Sequence, residues 1–262
     1  MRALWSAASG MQAQQLNIDT ISNNLANVNT SGFKKQRVEF KDLLYEKVRL
    51  SNFSEGEGRP VNLEVGHGVM AGATLRSFKQ GVLQQTFNDN DFAIAGDEFF
   101  EVKDENGKLY YTKDGSFKLS TNDGEVKLVT SSGLFVQSDG GDVELGADVS
   151  KITVDKYGNI TVGRTDGTDE AIDRMKLVRF ANAAGLESVG ENAFIQTKAS
   201  GDAIAPEDDE RGEIMQGFIE GSNVQVVEEM INLITAQRAY ELNSKTIQTS
   251  DSLLELANNL KR

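Results

Sequence analysis

The residues able to do chemistry in this 262-residue chain are mostly carboxylates: 40 Asp and Glu stand against 27 Lys and Arg, one histidine and no cysteine. Without cysteine there is neither a disulfide nor a thiolate metal site. With His67 alone, most zinc sites and any mechanism needing two imidazoles fall away. Carboxylates suit calcium binding or glycoside hydrolysis, but the acidic clusters fit neither pattern. Counting from Asp91, Gly96 falls at the sixth position of an EF-hand loop, yet Ala93 and Ala95 occupy ligand positions and Val102 replaces the closing Glu. Asp139, Asp142, Glu144 and Asp148 offer a weak calcium site or, more simply, a solvated hairpin. No pair of carboxylates is singled out for acid–base work. The chain also lacks a G-x-S-x-G elbow, a G-x-x-x-x-G-K phosphate loop and a G-x-G-x-x-G turn after a strand. His67, between Gly66 and Gly68, reads as an exposed loop histidine. Lys34, Lys35 and Arg37 read as a solvated face or a contact between subunits. No catalytic, cofactor-binding or metal-ligating residue is expected, and no cofactor.

Charge narrows the partners. Of the net −13, residues 1–40 carry +2 and residues 221–262 carry −1, which leaves −14 in the middle. Phosphate binding is driven by cationic side chains, so nucleic acid is not an expected partner. No run approaches ~18 apolar residues, and membrane insertion is not expected either. Gln12, Gln14, Gln15 and Asn17 interrupt what would be the apolar core of a signal peptide. The expectation is a cytoplasmic chain, or one exported by a route that reads no cleaved signal.

The elements that organise the chain are its two ends. Val226, Leu233, Tyr240, Ile247 and Leu254 recur every seventh residue, widened by Met230, Ile231, Ile234 and Ala257. Leu4, Met11, Ile18 and Leu25 form a similar column, with Ala7, Ile21 and Val28 three residues after its members. Such columns mark helix seams, and two of them predict terminal helices that pair in a coiled-coil-like domain. Residues 3–33 contain one charged residue, Asp19. A surface helix of a soluble monomer normally shows a charged outer face, so this helix is either buried in a globular core or surrounded by other subunits.

From Val69 to Glu220 the pattern changes to short β-branched and aromatic runs separated by turn pairs such as Asn106-Gly107, Asp114-Gly115, Asp123-Gly124 and Asp166-Gly167. Expected strands include 69–78, 92–95, 99–103, 109–112, 116–119, 125–130, 134–137, 174–180, 193–197 and 214–220. They predict an all-β barrel or sandwich. Residues 51–68, rich in Gly, Ser and Glu with Pro60, read as a loop or extended excursion, and 198–213 as an acidic surface loop. Gln80–Asn88 echoes Gln216–Asn223 in sequence. The fold class is therefore α+β and multidomain. Its expected parts are an N-terminal helix at 1–32, a connecting segment at 33–68, a β-rich domain at 69–220 and a C-terminal helix at 221–262.

Particular words in the sequence carry a resemblance. Ser22 to Lys34, including Asn23-Asn24-Leu25-Ala26-Asn27 and Gly32-Phe33, closely resembles the N-terminal signature of bacterial flagellar rod and hook proteins. Ser222-Asn223-Val224, Glu228–Ile231 and Gln237-Arg238-Ala239-Tyr240-Glu241 resemble the matching C-terminal signature. Tyr111–Phe117 and Gly185–Asn192 agree with the family's middle region. Length and the excursion at 46–65 are most similar to the distal rod members. A proximal rod protein of nearly the same size, and hook proteins, are the neighbouring readings. The resemblance implies a structural axial subunit without catalytic activity, stacking helically with copies of itself into a hollow tube that transmits torque. It also implies proximal rod and hook proteins, surrounding rings and the flagellar export apparatus as partners, and a place in the periplasm-spanning basal body. The assembly residues it implies are Leu4, Met11, Ile18, Ile21, Leu25 and Val28 on one helix and Val226, Met230, Leu233, Tyr240, Ile247 and Leu254 on the other. Two further readings are an acidic β-domain module or hydrolase acting on peptidoglycan, and a cytoplasmic coiled-coil adaptor.

Overall fold

Residues 2–26 contain no proline and are rich in Ala, Leu, Met and Gln, so they propagate a helix with little opposition. Helix α1 spans Arg2–Ala26. It ends where Thr30 N–H donates to the Asn27 carbonyl at 3.2 Å, and Gly32 then takes a φ of +68° that a side chain would oppose. Helix α2 spans Val226–Asn259, with Glu228 and Glu229 in its first turn, where the helix dipole favours acid.

The computed structural model describes residues 2–49, 63–122, 125–146, 149–207 and 211–260. The expectations for 50–62 with Pro60, for the Asp123-Gly124 turn, for Asp148 and for 208–210 of the acidic loop lie outside these residues. The chain is an α+β protein of two units. One holds both helices and residues 36–75; the other holds 27–35 and 76–224.

In the helical unit, α1 and α2 pack against each other. Strand Gln36–Asp42 pairs with Val69–Arg76, and Tyr45–Arg49 pairs antiparallel with Leu63–Gly66. Strands at 36–42 and 63–66 lie in the stretch expected as a connecting segment, the second within the part read as a loop or extended excursion. They are two-stranded ribbons with mostly exposed side chains, so no continuous apolar face marks them in sequence.

In the other unit the strand pairings among the described residues are antiparallel. A ten-stranded sheet contains Phe99–Lys103, Leu109–Thr112, Glu125–Val129 and Phe135–Ser138, and a three-stranded sheet runs through Val149–Val154, Asn159–Arg164 and Asp169–Arg174. Phe92, Ile94, Phe100, Val102, Phe117, Leu128 and Val136 lie in one buried cluster. Phe99, Tyr111, Phe180 and Phe194 form a second, in which Phe99 and Phe180 meet edge to face at 5.8 Å.

Two expected strands are revised. The run 214–220 breaks at Gly217, whose φ is +76°. Glu213–Gln216 pairs with Phe92–Ala95, and Phe218–Glu220 pairs with Leu83–Gln85. The two echoing segments are thus partners, Gln84 opposite Ile219. The run 174–180 keeps only Leu177–Val178 as a strand. The strand before it, Asp169–Arg174, is too polar to have shown a pattern.

Candidate assembly surface

The helix pair is held by small and polar side chains. A methyl group at Gly10 would come within 2.9 Å of Asn243 Nδ2. Asn24 Nδ2 donates to Glu229 Oε2 at 3.0 Å. From Gly10 to Asn24 is fourteen residues, and from Glu229 to Asn243 is also fourteen, so the helices run antiparallel in one unbroken register. That register sets Asn17 against Ala236, which is 3 % exposed. Glu229 is 1 % exposed, the deepest charged group on α2. Asn24 also spans the backbone of Gln36, donating to its carbonyl at 2.7 Å and accepting from its N–H at 2.9 Å. The seam is therefore specified by fit and hydrogen bonds, and its apolar contribution is modest.

The large apolar side chains face elsewhere. Val227 is 71 % exposed, Ile231 56 % and Leu242 67 % on α2, and Trp5 is 73 % exposed on α1. Of the seven-residue columns, Leu4, Met11, Ile18, Leu25, Val28, Leu233 and Ile247 are half-buried. Val226, Met230, Tyr240 and Leu254 are exposed, and Ile21 is buried. Ile21 is three residues from Asn24, and Leu233 and Ile247 are four residues after Glu229 and Asn243, so these column residues share the seam's faces. Gly10, Asn24, Glu229, Ala236 and Asn243 complete the seam, and sequence reasoning passed over them because small and polar residues do not register in an apolar pattern. A cavity of about 590 Å³ opens beside α1, lined by Ala13, Leu16, Leu43, Val69, Met70 and Asp19 among others.

The family words fall into separate roles. Asn24 belongs to the seam, while Asn23 and Ala26 are exposed and Asn27 receives the Thr30 hydroxyl at 3.1 Å. Gly32 and Phe33 are buried in the β-rich unit, where the Gly32 N–H donates to the Glu220 carbonyl at 2.7 Å. A side chain at Gly32 would also strike the Asp114 backbone nitrogen at 2.7 Å. Gln237 and Arg238 are exposed on α2, Ala239 is half-buried and Tyr240 exposed.

Lys34 corrects an expectation. It is neither on a solvated face nor free for a subunit contact. Its ammonium is fully buried, donating to Glu220 Oε1 at 2.6 Å and to the Lys79 carbonyl at 3.1 Å. Glu220 Oε1 also accepts the Gly81 N–H at 2.7 Å. Two charges leave water here because each is met by an opposite charge and by backbone dipoles. Asn223 accepts the Lys35 N–H at 2.7 Å and donates to the carbonyls of Ser77 and Lys79. Residues 32–35 are thereby stitched to 77–81 and 220–223 within this unit. Nearby, Lys113 donates to the Gly96 carbonyl at 2.8 Å. Burial, reinforced by the Lys34 charge and opposed by Glu220, lowers its pKa from the ordinary lysine value of 10.5 to about 8. Sequence offered one hint of this cluster, the echo whose two copies contain Gly81 and Glu220.

The carboxylates are used as structure. Asp142 pairs with Lys103 and accepts from Gln137 at 2.8 Å. Burial opposes its ionisation, but those hydrogen bonds and the charges of Lys103 and Lys127 hold its pKa below the usual range. Among the described residues no group of three or more His, Cys, Asp or Glu is placed to hold a metal ion, and no helix is long and apolar enough to cross a membrane. His67 Nε2 lies 3.7 Å from Glu46 Oε2, both partly exposed.

The chain combines paired terminal helices that leave Trp5, Val227, Ile231 and Leu242 exposed with a β-rich unit that has its own core. Known sequences give the family. Residues 4–34 match the description "Flagella basal body rod protein", 93–162 "Flagellar hook protein FlgE/F/G D1 domain", and 215–260 "Flagellar basal body rod FlgEFG protein C-terminal". The chain is 47 % identical over 270 residues to the flagellar basal-body rod protein FlgG of Borreliella burgdorferi, covering 100 % of this chain and 99 % of that one. It is 42 % identical to FlgG of Caulobacter vibrioides and 34 % identical to FlgG of Bacillus subtilis, each over 100 % of both chains. A solved hook protein, FlgE2 of Helicobacter pylori, matches 62 % of this chain and 46 % of its own at 12 % identity. Its TM-score of 0.24 is too low to inform the fold. The chain belongs to the flagellar basal-body rod protein family, as a structural axial subunit similar to the distal rod protein FlgG.

Proposed function

We propose that this chain polymerises helically with copies of itself into a hollow drive shaft that carries torque from motor to hook and leaves a channel for export. Its neighbours in this reading are proximal rod and hook proteins, the rings around the rod, and the flagellar export apparatus that delivers it. It catalyses nothing and binds no cofactor, nucleic acid or membrane interior. Residues 1–32 and 221–262 form the inner, coiled-coil-like domain, 33–68 connect, and 69–220 form the outer domain. Leu4, Met11, Ile18, Ile21, Leu25 and Val28, with Val226, Met230, Leu233, Tyr240, Ile247 and Leu254, are its assembly residues.

The observation that carries this reading is the inverted helix pair, small and polar within, large and apolar without. Exposed apolar area of this extent is stabilised when neighbours cover it. Ile231→Glu together with Ile234→Glu tests it. Both side chains are exposed, so monomer stability should move by no more than about 0.5 kcal/mol, while sedimentation should find polymer lost. Polymer that survives both charges would remove the main support.

A further inference from the structure

The two helices differ in length, and the register shows where the excess lies. Because Gly10 faces Asn243 and Asn24 faces Glu229, Arg2 falls level with Asp251. Residues 252–259 of α2 therefore run past the first turn of α1, roughly 12 Å of helix at 1.5 Å per residue. Every residue from 251 to 260 is exposed. Leu253, Leu256 and Leu260 lie at i, i+3 and i+7 and form one stripe, with Leu254 beside it.

The helical unit also holds a receptor of the right size. The cavity beside α1 runs from Ser9 to Asp19, roughly 15 Å along the helix. Leu16, Leu43, Val69, Met70 and Ala71 make its floor and walls apolar. Asp19, the only charged residue between positions 3 and 33, stands at one end. In sequence, the leucine stripe is followed at once by Lys261 and Arg262.

Resting on the assembly reading above, we propose that the projecting end of α2 from one copy docks in the cavity beside α1 of a second copy. Its leucines lie against Leu16, Leu43 and Met70. Groove and projection are different patches, so the contact is heterologous and repeats without closing, as an open helical polymer requires. The projection continues the line of its own helix away from its own groove, and a second chain supplies the occupant.

The absence of cysteine makes the test clean. Met70→Cys and Leu256→Cys chains are prepared separately, mixed, polymerised, and treated with a short thiol cross-linker. Cross-linked dimers should appear in the mixed polymer and in neither variant alone. Polymer without that cross-link overturns the docking and leaves the assembly reading standing. Failure of the native chain to polymerise at all overturns both.

Discussion

The helix pair and the β-rich unit solve the problem of burial in opposite ways. In the β-rich unit Phe92, Phe100, Val102 and Val136 are wholly enclosed, and Lys34 and Glu220 are buried as each other's partners. In the helix pair Ala236, Asn24 and Glu229 are enclosed, while Val227, Ile231 and Leu242 are turned to water. The β-rich unit has an enclosed core of its own, although Val82 and Phe87 stay exposed. The helix pair encloses few large apolar side chains. In the assembly reading proposed above, neighbouring copies cover the exposed ones.

Substitutions can break this contrast at graded depth. The largest effect is expected at the buried pair. Glu220→Gln leaves Lys34 charged without its counter-ion and should cost roughly 3–5 kcal/mol in denaturant unfolding. Lys34→Met with Glu220→Leu should cost less than either single change, because no lone charge remains. If the double change costs the sum of the two, the pair is not coupled and the contrast loses its clearest member.

A middling effect is expected in the seam. Gly10→Leu forces a side chain into the space of Asn243 and should destabilise the helix pair by about 1–3 kcal/mol. Hydrogen exchange should rise along α1 and α2 and stay unchanged in the strands around Phe100. An equal rise in both regions would show that they do not unfold separately.

A comparable effect, confined to a pH window, is expected within the β-rich unit. Lys113 has a folded pKa of about 8 against an ordinary 10.5. Between these values the unfolded chain holds a proton the folded chain has released, so stability rises with pH across the window. Below pH 8 the cost of burying the ammonium is felt in full. The rise should amount to about 1–3 kcal/mol, and Lys113→Met should abolish it, seen as unfolding midpoints that no longer climb from pH 8 to 9.5.

By itself the sequence determined the periodic and the punctuated parts of the molecule. Seven-residue recurrence announced both helices because a helix repeats its facing every two turns. Asn106-Gly107 and Asp166-Gly167 announced hairpins because few residues tolerate their backbone angles, whereas Asp114-Gly115 joins strands that pair with other partners. The words around Asn24, Gly32 and Tyr240 were enough to indicate the family. The tertiary structure alone decided what those residues touch. Leu4 and Val226 looked like a seam, yet Gly10 and Asn24 against Asn243 and Glu229 complete it. Hydrophobic periodicity reports which side of a helix is apolar and is silent on whether a copy of the chain or its own partner helix will cover that side. Lys34 read as surface because an isolated lysine prefers water. Only folding, which brings Glu220 and the Lys79 carbonyl to it from 186 and 45 residues away, turns it into a core residue.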